Sequence, residues 1–225
     1  MRQTLYHQST AVAGEVNPLM TRRCLLAGTT AALTFAPARP AAAETSAELT
    51  VTEALRARRS VRAFSDRSVD PALMAELLWA AFGINRQALA LHTAPSWRGA
   101  ADITVHLASA DGVQAYVPDR NTTRSRLRND IRSVLSSQPF VATAPLCLIY
   151  ISDLRKLSAA DLEVQKRTTA QIDAAVIAQN VYLFAAAKGL GTCLVGGLDR
   201  PAISKAMRLP AHEFPAFVQP VGWPA

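Results

Sequence analysis

Apolar residues recur along this chain with several different periods, and each change of period marks an element. At Thr50-Val51-Thr52-Glu53 a hydroxyl residue is followed three positions later by an acid. This reciprocal capping pattern predicts a short helix with Leu55 on its apolar side. Asp70-Pro71 predicts a second helix start, with a carboxylate for the free amides and Pro at the first helical position. Leu73, Met74, Leu77, Leu78 and Ala81 then recur at helical spacing, and Gly83 ends the run. Residues 84–94 read as a loop containing Asn85 and Arg86, and Pro95-Ser96-Trp97-Arg98-Gly99-Ala100-Ala101 follows it. Residues 103–108 alternate as a strand, Asp111-Gly112 marks a turn, and 113–117 returns as the hairpin partner.

Residues 119–137 are polar and arginine-rich, with Leu127, Ile131 and Leu135 at i, i+4 and i+8. That spacing predicts an amphipathic helix with a solvated basic face. Residues 144–151 form an unbroken apolar run, as expected of a strand covered on both faces at the centre of a sheet. After a charged connector at 153–167, residues 168–188 form the longest predicted helix, apolar on most sides. Such a helix is buried in a core or at a subunit interface. Gly189-Leu190-Gly191 stops it, 192–195 is a short strand, and Gly196-Gly197 follows. Asp199 caps a helix running through Met207, and 214–221 is the last strand. This order predicts an α+β domain with one mixed or antiparallel sheet.

Composition adjusts this picture at the N-terminus. The formal charge of the 225-residue chain is +7, but Arg2, Arg22, Arg23 and Arg39 against Glu15 put +3 of it in the first 43 residues, leaving +4 for residues 44–225. A modest excess of this kind suits an anionic cofactor or substrate, and no aromatic interleaving of the basic residues supports nucleic acid. Thr21-Arg22-Arg23-Cys24-Leu25-Leu26 opens an alanine-rich apolar run that Pro37 and Pro40 break, and Ala41-Ala42-Ala43 offers a small-residue cut site. Residues 1–43 are therefore expected to be an export signal, whose apolar run is too short to span a membrane. The arginine pair points to the twin-arginine type, with an ordinary secretory signal or an uncleaved anchor as alternatives. Met20, directly before Thr21, is the expected true start. The expected location is the periplasm, and the expected partner there is the export machinery for folded proteins. Residues 44–225 form the functional domain, with no stable membrane span.

The chemistry available from the side chains is sparse. Cys24, Cys147 and Cys193 include no C-x-x-C pair, and His7, His92, His106 and His212 are scattered, so no metal site is expected. The glycines at 189 and 191 end a helix where a dinucleotide fingerprint would start one, and no phosphate-loop or nucleophile-elbow pattern occurs. A cofactor that carries the chemistry is the economical reading. Arg58-Arg59-Ser60-Val61-Arg62 offers an anion site, since guanidinium forks bind phosphate in pairs and keep their charge. A basic helix end, favoured by the macrodipole, is the alternative. Gly196-Gly197 either lets backbone lie flat against a planar ring or makes a plain tight turn.

Taken in order, several segments resemble the FMN-dependent nitroreductase family: Arg58-Arg59-Ser60-Val61-Arg62, the run from Leu77 to Arg86, Thr93-Ala94-Pro95-Ser96, Gln179-Asn180-Val181-Tyr182-Leu183, Gly189-Leu190-Gly191-Thr192 and Val221-Gly222-Trp223-Pro224. Trp79-Ala80-Ala81-Phe82-Gly83-Ile84-Asn85-Arg86 is similar to the branch that includes thiazoline and oxazoline dehydrogenases. The resemblance implies a central sheet flanked by helices, in a homodimer with FMN at its interface. It implies FMN phosphate at Arg58 and Ser60, with Arg59 also in the cofactor-binding segment and Arg62 towards the ribityl chain and pyrimidine edge. Pro95, Ser96 and Trp97 would come from the partner subunit, Gln138 would supply a polar contact, and Gly196 and Gly197 would lie at the ring with the Gly197 amide near N5. No side chain is implied as catalytic. The implied reaction is a ping-pong, two-electron exchange with nitroaromatics, quinones or similar small acceptors. A flavin carrier, or a flavin-dependent dehydrogenase working without nicotinamide, is the alternative. The chain departs from the family pattern at Gly99 and Ala101, where polar residues are usual, at Gly196, where an acid is usual, and in ending at Ala225 without the usual basic pair.

Overall fold

A computed structural model of the chain describes residues 49–225; the expected export signal at residues 1–43 lies outside them. Helix α1 (Val51–Ala57) is capped reciprocally: Glu53 N donates to Thr50 Oγ1 at 3.3 Å, and Thr50 N donates to Glu53 Oε2 at 2.8 Å. Helix α2 (Pro71–Phe82) starts where Asp70 Oδ1 accepts from Ala72 N at 2.8 Å. Two short strands, β1 (Ile84–Arg86) and β2 (Leu91–His92), then pair within the segment expected to be a loop.

The main sheet is built from β3 (Ile103–Ser109), β4 (Gly112–Val117), β5 (Thr122–Leu127), β6 (Leu146–Asp153), β7 (Gly191–Thr192) and β8 (Glu213–Gly222). Its order is β5-β4-β3-β6-β8-β7, and every neighbouring pair is antiparallel. The β3–β6 register runs from Ile103 opposite Ser152 to Ala108 opposite Cys147. β6 is central, as its unbroken apolar run predicts. Leu146, Leu148 and Tyr150 face one core with α2 and the long helix α4 (Glu163–Ala187). Cys147, Ile149 and Ile151 face a second core with α3 (Pro139–Thr143) and α5 (Arg200–Met207). Period-2 alternation puts successive side chains on opposite faces, so a strand buried on both sides has no polar position to show.

The predicted helix over 119–137 does not form. Residues 118–120 make a short turn, Asn121 adopts a left-handed conformation at φ 47°, and β5 pairs with β4 from Val117–Thr122 to Val113–Leu127. The i+4 spacing of Leu127, Ile131 and Leu135 arises differently: all three pack on the second core, Leu127 from the strand and the others from the turn after it. Thr122 and Thr123 favour the extended chain, and the open hydrogen-bonding edge of β4 supplies partners that a solvated helix would lack. Helix α4 begins five residues earlier than its apolar pattern, at Glu163, where Leu162 N donates to Gln165 Oε1 at 2.7 Å. Among the described residues no helix is long and apolar enough to cross a membrane, and no cluster of His, Cys, Asp and Glu could hold a metal ion.

Candidate functional site

The chain leaves α1 at Arg58 in an extended conformation and runs beside β7. Ser60 pairs with Thr192 in a parallel bridge, and Val61 N donates to Thr192 O at 2.9 Å. The approach is close: a methyl group at Gly191 would lie 2.7 Å from Val61 Cβ. Tyr182, on α4, ties the two segments together. Its hydroxyl accepts from Leu194 N at 2.8 Å and lies 3.2 Å from Ser60 Oγ, and the Arg58 guanidinium stands 5.4 Å from its ring centroid. Arg58 and Arg59 line a cavity of about 220 Å³ with Tyr182, Gly189, Thr192 and Pro224. Drug-sized ligands occupy roughly 300–1,000 Å³, so this hollow suits a small anionic group and not a whole tricyclic cofactor.

The arginines of 58–62 divide their work. Arg59 Nη1 donates to Arg56 O and Arg58 O, both at 2.8 Å, and so closes the end of α1. For this residue the helix-end reading describes the geometry. Arg58 is half-buried and Arg62 is exposed.

From Leu194 the chain continues through Val195, which exchanges backbone hydrogen bonds with Val218 at 2.8 and 3.3 Å, to Gly196 and Gly197. Both glycines are exposed and neither has a positive φ, so no left-handed turn explains them. Ser136 Oγ donates to Gly197 O at 2.6 Å and accepts from Gln138 N at 3.2 Å. Gln138 Nε2 lies 3.6 Å from where a Gly197 methyl would sit. Gly197 also edges a cavity of about 640 Å³ with Ser133, Ser136, Ser137 and Asp199.

Pro95, Ser96 and Trp97 are held elsewhere on α4. Trp97 N donates to both oxygens of Asp173, at 3.0 and 2.9 Å, and Ser96 Oγ accepts from Ala101 N at 2.9 Å. Asp173 and Tyr182 are nine residues apart on one helix, about 14 Å at 1.5 Å per residue. Within one chain, therefore, the fold brings Arg58 and Ser60 to the strand that leads into Gly196 and Gly197, and sets Gln138 beside Gly197. It anchors Pro95–Trp97 at another level of α4. Gly99, one of the departures from the family pattern, has φ 72°, a conformation glycine adopts without strain.

Three participants were not singled out in the sequence. Tyr182 lies inside a motif segment, but its hydroxyl contacts come from residues far off in the chain. Asp173 left a signal: a lone acid between Ile172 and Ala174 in an apolar helix is a buried polar group in need of partners. Ser136 gave none.

The nitroreductase family profile matches residues 55–223. A solved structure of a proposed nitroreductase from Ralstonia eutropha JMP134 is 30% identical, with a TM-score of 0.75 over 80% of this chain and 85% of that one. A protein of Methanocaldococcus jannaschii, proposed to be a nitroreductase, is 26% identical over 78% of this chain and 91% of its own length. A structure from Parabacteroides distasonis, described as a proposed NADH dehydrogenase/NAD(P)H nitroreductase, shares the fold at 22% identity and a TM-score of 0.54, over 79% of this chain and 88% of that one. The antiparallel α+β fold and the family match thus define an oxidoreductase of the nitroreductase class. The chain belongs to the nitroreductase family.

Proposed function

We propose that the chain is an FMN-dependent oxidoreductase that works as a homodimer. The observation that carries this reading is the junction at Tyr182, which joins the cationic segment at Arg58–Ser60 to the strand leading into the exposed glycine pair. The residues fit the cofactor in kind. A guanidinium, a hydroxyl and a small hollow suit a phosphate tail, and two side-chain-free residues at the edge of a larger cavity suit a flat ring. Arg58 and Ser60 would hold the phosphate end and Arg62 the ribityl chain and pyrimidine edge, with Arg59 shaping the backbone from which they project. Gln138 and Ser136 would fix the Gly197 backbone. A bound flavin supplies two-electron exchange between a reductant and a small acceptor such as a nitroaromatic or quinone, in ping-pong order.

Dimerisation is supported by exposed apolar surface at the remaining candidate segment. Trp97 is 51% exposed, Ile172 57%, and the β1–β2 region adds Leu89 at 69%. Ile172 is the chain neighbour of Asp173, which receives the Trp97 amide. Exposed aromatic and aliphatic groups of this kind mark interaction surfaces. A partner copy would bring its own Pro95, Ser96 and Trp97 towards the glycine pair. If residues 1–43 direct export, the reductant outside the cytoplasm is not expected to be a nicotinamide, and a substrate oxidation becomes the natural direction.

Two measurements test the proposal. The purified protein is expected to bind FMN, to lose the flavin absorbance on dithionite reduction, and to elute as a dimer by light scattering. It is also expected to turn over nitroaromatics or quinones in steady state once a reductant is found among NADH, NADPH and quinols tried anaerobically. A colourless protein that takes up no FMN would overturn the reading, and a coloured protein without turnover would leave a flavin carrier.

A further inference from the structure

Beneath the Pro95–Trp97 segment lies a pair of buried acids that the proposed reaction does not use. Asp102, just before β3, is 0% exposed, and Asp173 on α4 is 4% exposed. Asp102 Oδ2 accepts from Ser152 Oγ, on β6, at 2.5 Å. Asp102 Oδ1 is buried and has no hydrogen-bond partner. A bare carboxylate oxygen in that position is costly. Its acidic neighbour is Asp173, whose own oxygens both receive the Trp97 amide. A proton on Asp173 satisfies the orphan oxygen and removes the repulsion between the two carboxyl groups.

The segment above needs such an anchor. Arg98 has φ 50°, Gly99 φ 72° and Ala101 φ 46°. Non-glycine residues keep left-handed conformations only where their surroundings fix them. Here the fixing bonds are Trp97 N to Asp173, Ala101 N to Ser96 Oγ, and Lys156 Nζ to Ala101 O at 2.8 Å. The backbone of Asp102 is pinned as well, its carbonyl accepting from Asp153 N at 2.9 Å.

We propose that a proton carried by Asp173 bonds it to the open oxygen of Asp102 and that this pair is the positioning element for residues 95–101, holding the Trp97 amide through Asp173. With the proton present, the pair is a closed hydrogen-bonded unit. Without it, two negative charges face each other under a strained loop, and Asp173 is pushed away from the geometry that receives Trp97. Ser152 from β6 bonds Asp102, and Lys156 from the turn after β6 bonds the Ala101 carbonyl next to it. Among the described residues, the charge that acts on Asp173 is that of Asp102. Burial first, then the hydrogen bond and charge of Asp102, lift the Asp173 carboxyl to about 6, against the opposing pull of the Trp97 amide. The inference needs no bound cofactor. Only its consequence, that the pair sets a wall of the flavin site, rests on the proposed function.

The test is therefore run on the full chain without added flavin. The protein holds three tryptophans; it is labelled with ¹⁵N-tryptophan, and the Trp97 amide is assigned by its loss in Trp97→Phe. Over roughly pH 4 to 8 the wild-type Trp97 amide shift is expected to move with a single midpoint near 6. In Asp102→Asn the facing negative charge is gone and the carboxamide N–H supports the ionised Asp173, so the midpoint of the Trp97 amide is expected to fall below the wild-type one. An Asp102→Asn protein that titrates with the wild-type midpoint, or a wild-type amide that stays flat, overturns the proposal. Should that variant fail to fold, ¹³C-carboxyl aspartate spectra of the wild-type chain decide. A buried aspartate carbon with a midpoint near 6 supports the proton on Asp173, and the absence of any aspartate titrating above the ordinary range refutes it.

Discussion

The hydroxyl of Tyr182 is used twice, by the Leu194 amide at 2.8 Å and by Ser60 Oγ at 3.2 Å, and so ties the proposed phosphate segment to the strand leading to the glycine pair. Tyr182→Phe leaves the Leu194 N–H without its acceptor, a loss of about 1–3 kcal/mol. The expected result is a lower melting temperature together with faster FMN release. Ser60→Ala is expected to weaken FMN with a smaller change in stability, so thermal melts and flavin release measured on both variants separate support from binding. A second single-residue expectation concerns close packing. Gly191→Ala puts a methyl 2.7 Å from Val61 Cβ, and a displaced Val61 costs about 1–3 kcal/mol, readable as a shift of the urea midpoint. At this scale the sequence showed the residue types but not their partners. Arg59 looked equal to Arg58 and Arg62, yet it turns back onto α1, because its neighbours in space are the open carbonyls at the helix end.

Elements with local stop and start signals were legible. The capping box at Thr50–Glu53, the Asp70-Pro71 start and the Asp199 cap, whose Oδ1 accepts from Ala202 N at 2.9 Å, each work through side chains within three residues. Asp199→Ala is accordingly expected to cost about 1 kcal/mol of stability by chemical denaturation. Because Asp199 follows Gly197 closely, some loosening of the glycine pair should accompany it. β6 was legible for a related reason: burial on both faces writes an unbroken apolar run. β5 was not legible, because what makes it a strand is the edge of β4 and not its own pattern. Its exposed Arg124 and Arg126 look like the polar face of a helix until the partner strand is known. The Asn121 turn at φ 47° was the signal that could have separated β5 from what precedes it.

For the molecule as a whole, two buried groups give stability opposite dependences on pH. Burial lowers His106, with Arg126 and Arg124 adding to the effect, from 6.5 to about 4. The unfolded chain then binds more protons between those values. The stability due to neutral His106 is full above pH 6.5 and lost as pH falls towards 4, by about 3 kcal/mol in all. Asp173 is raised, so its contribution runs the other way and is lost as pH rises through about 6. Unfolding curves of His106→Leu, followed from neutral to mildly acid pH, are expected to lose the acid-side fall and show stability rising as pH drops. Unchanged slopes would show that His106 is not held neutral in the fold.

The family and the general fold followed from segments spread over the whole domain, but the arrangement of the site depends on which of those segments meet. Tyr182 and the β7 edge bring together residues 58–60 and 192–194, and no spacing in the chain announces that meeting. The most direct test is therefore made there. Arg58→Ala/Arg62→Ala removes the two guanidiniums proposed to hold the cofactor and leaves Arg59 to close α1. Each charge-assisted hydrogen bond contributes about 1.5–3 kcal/mol, so FMN dissociation constants measured by fluorescence quenching are expected to rise at least roughly tenfold per arginine, with the fold retained by circular dichroism. Unchanged affinity in the double variant would contradict the assignment of this segment as the cofactor's anion site.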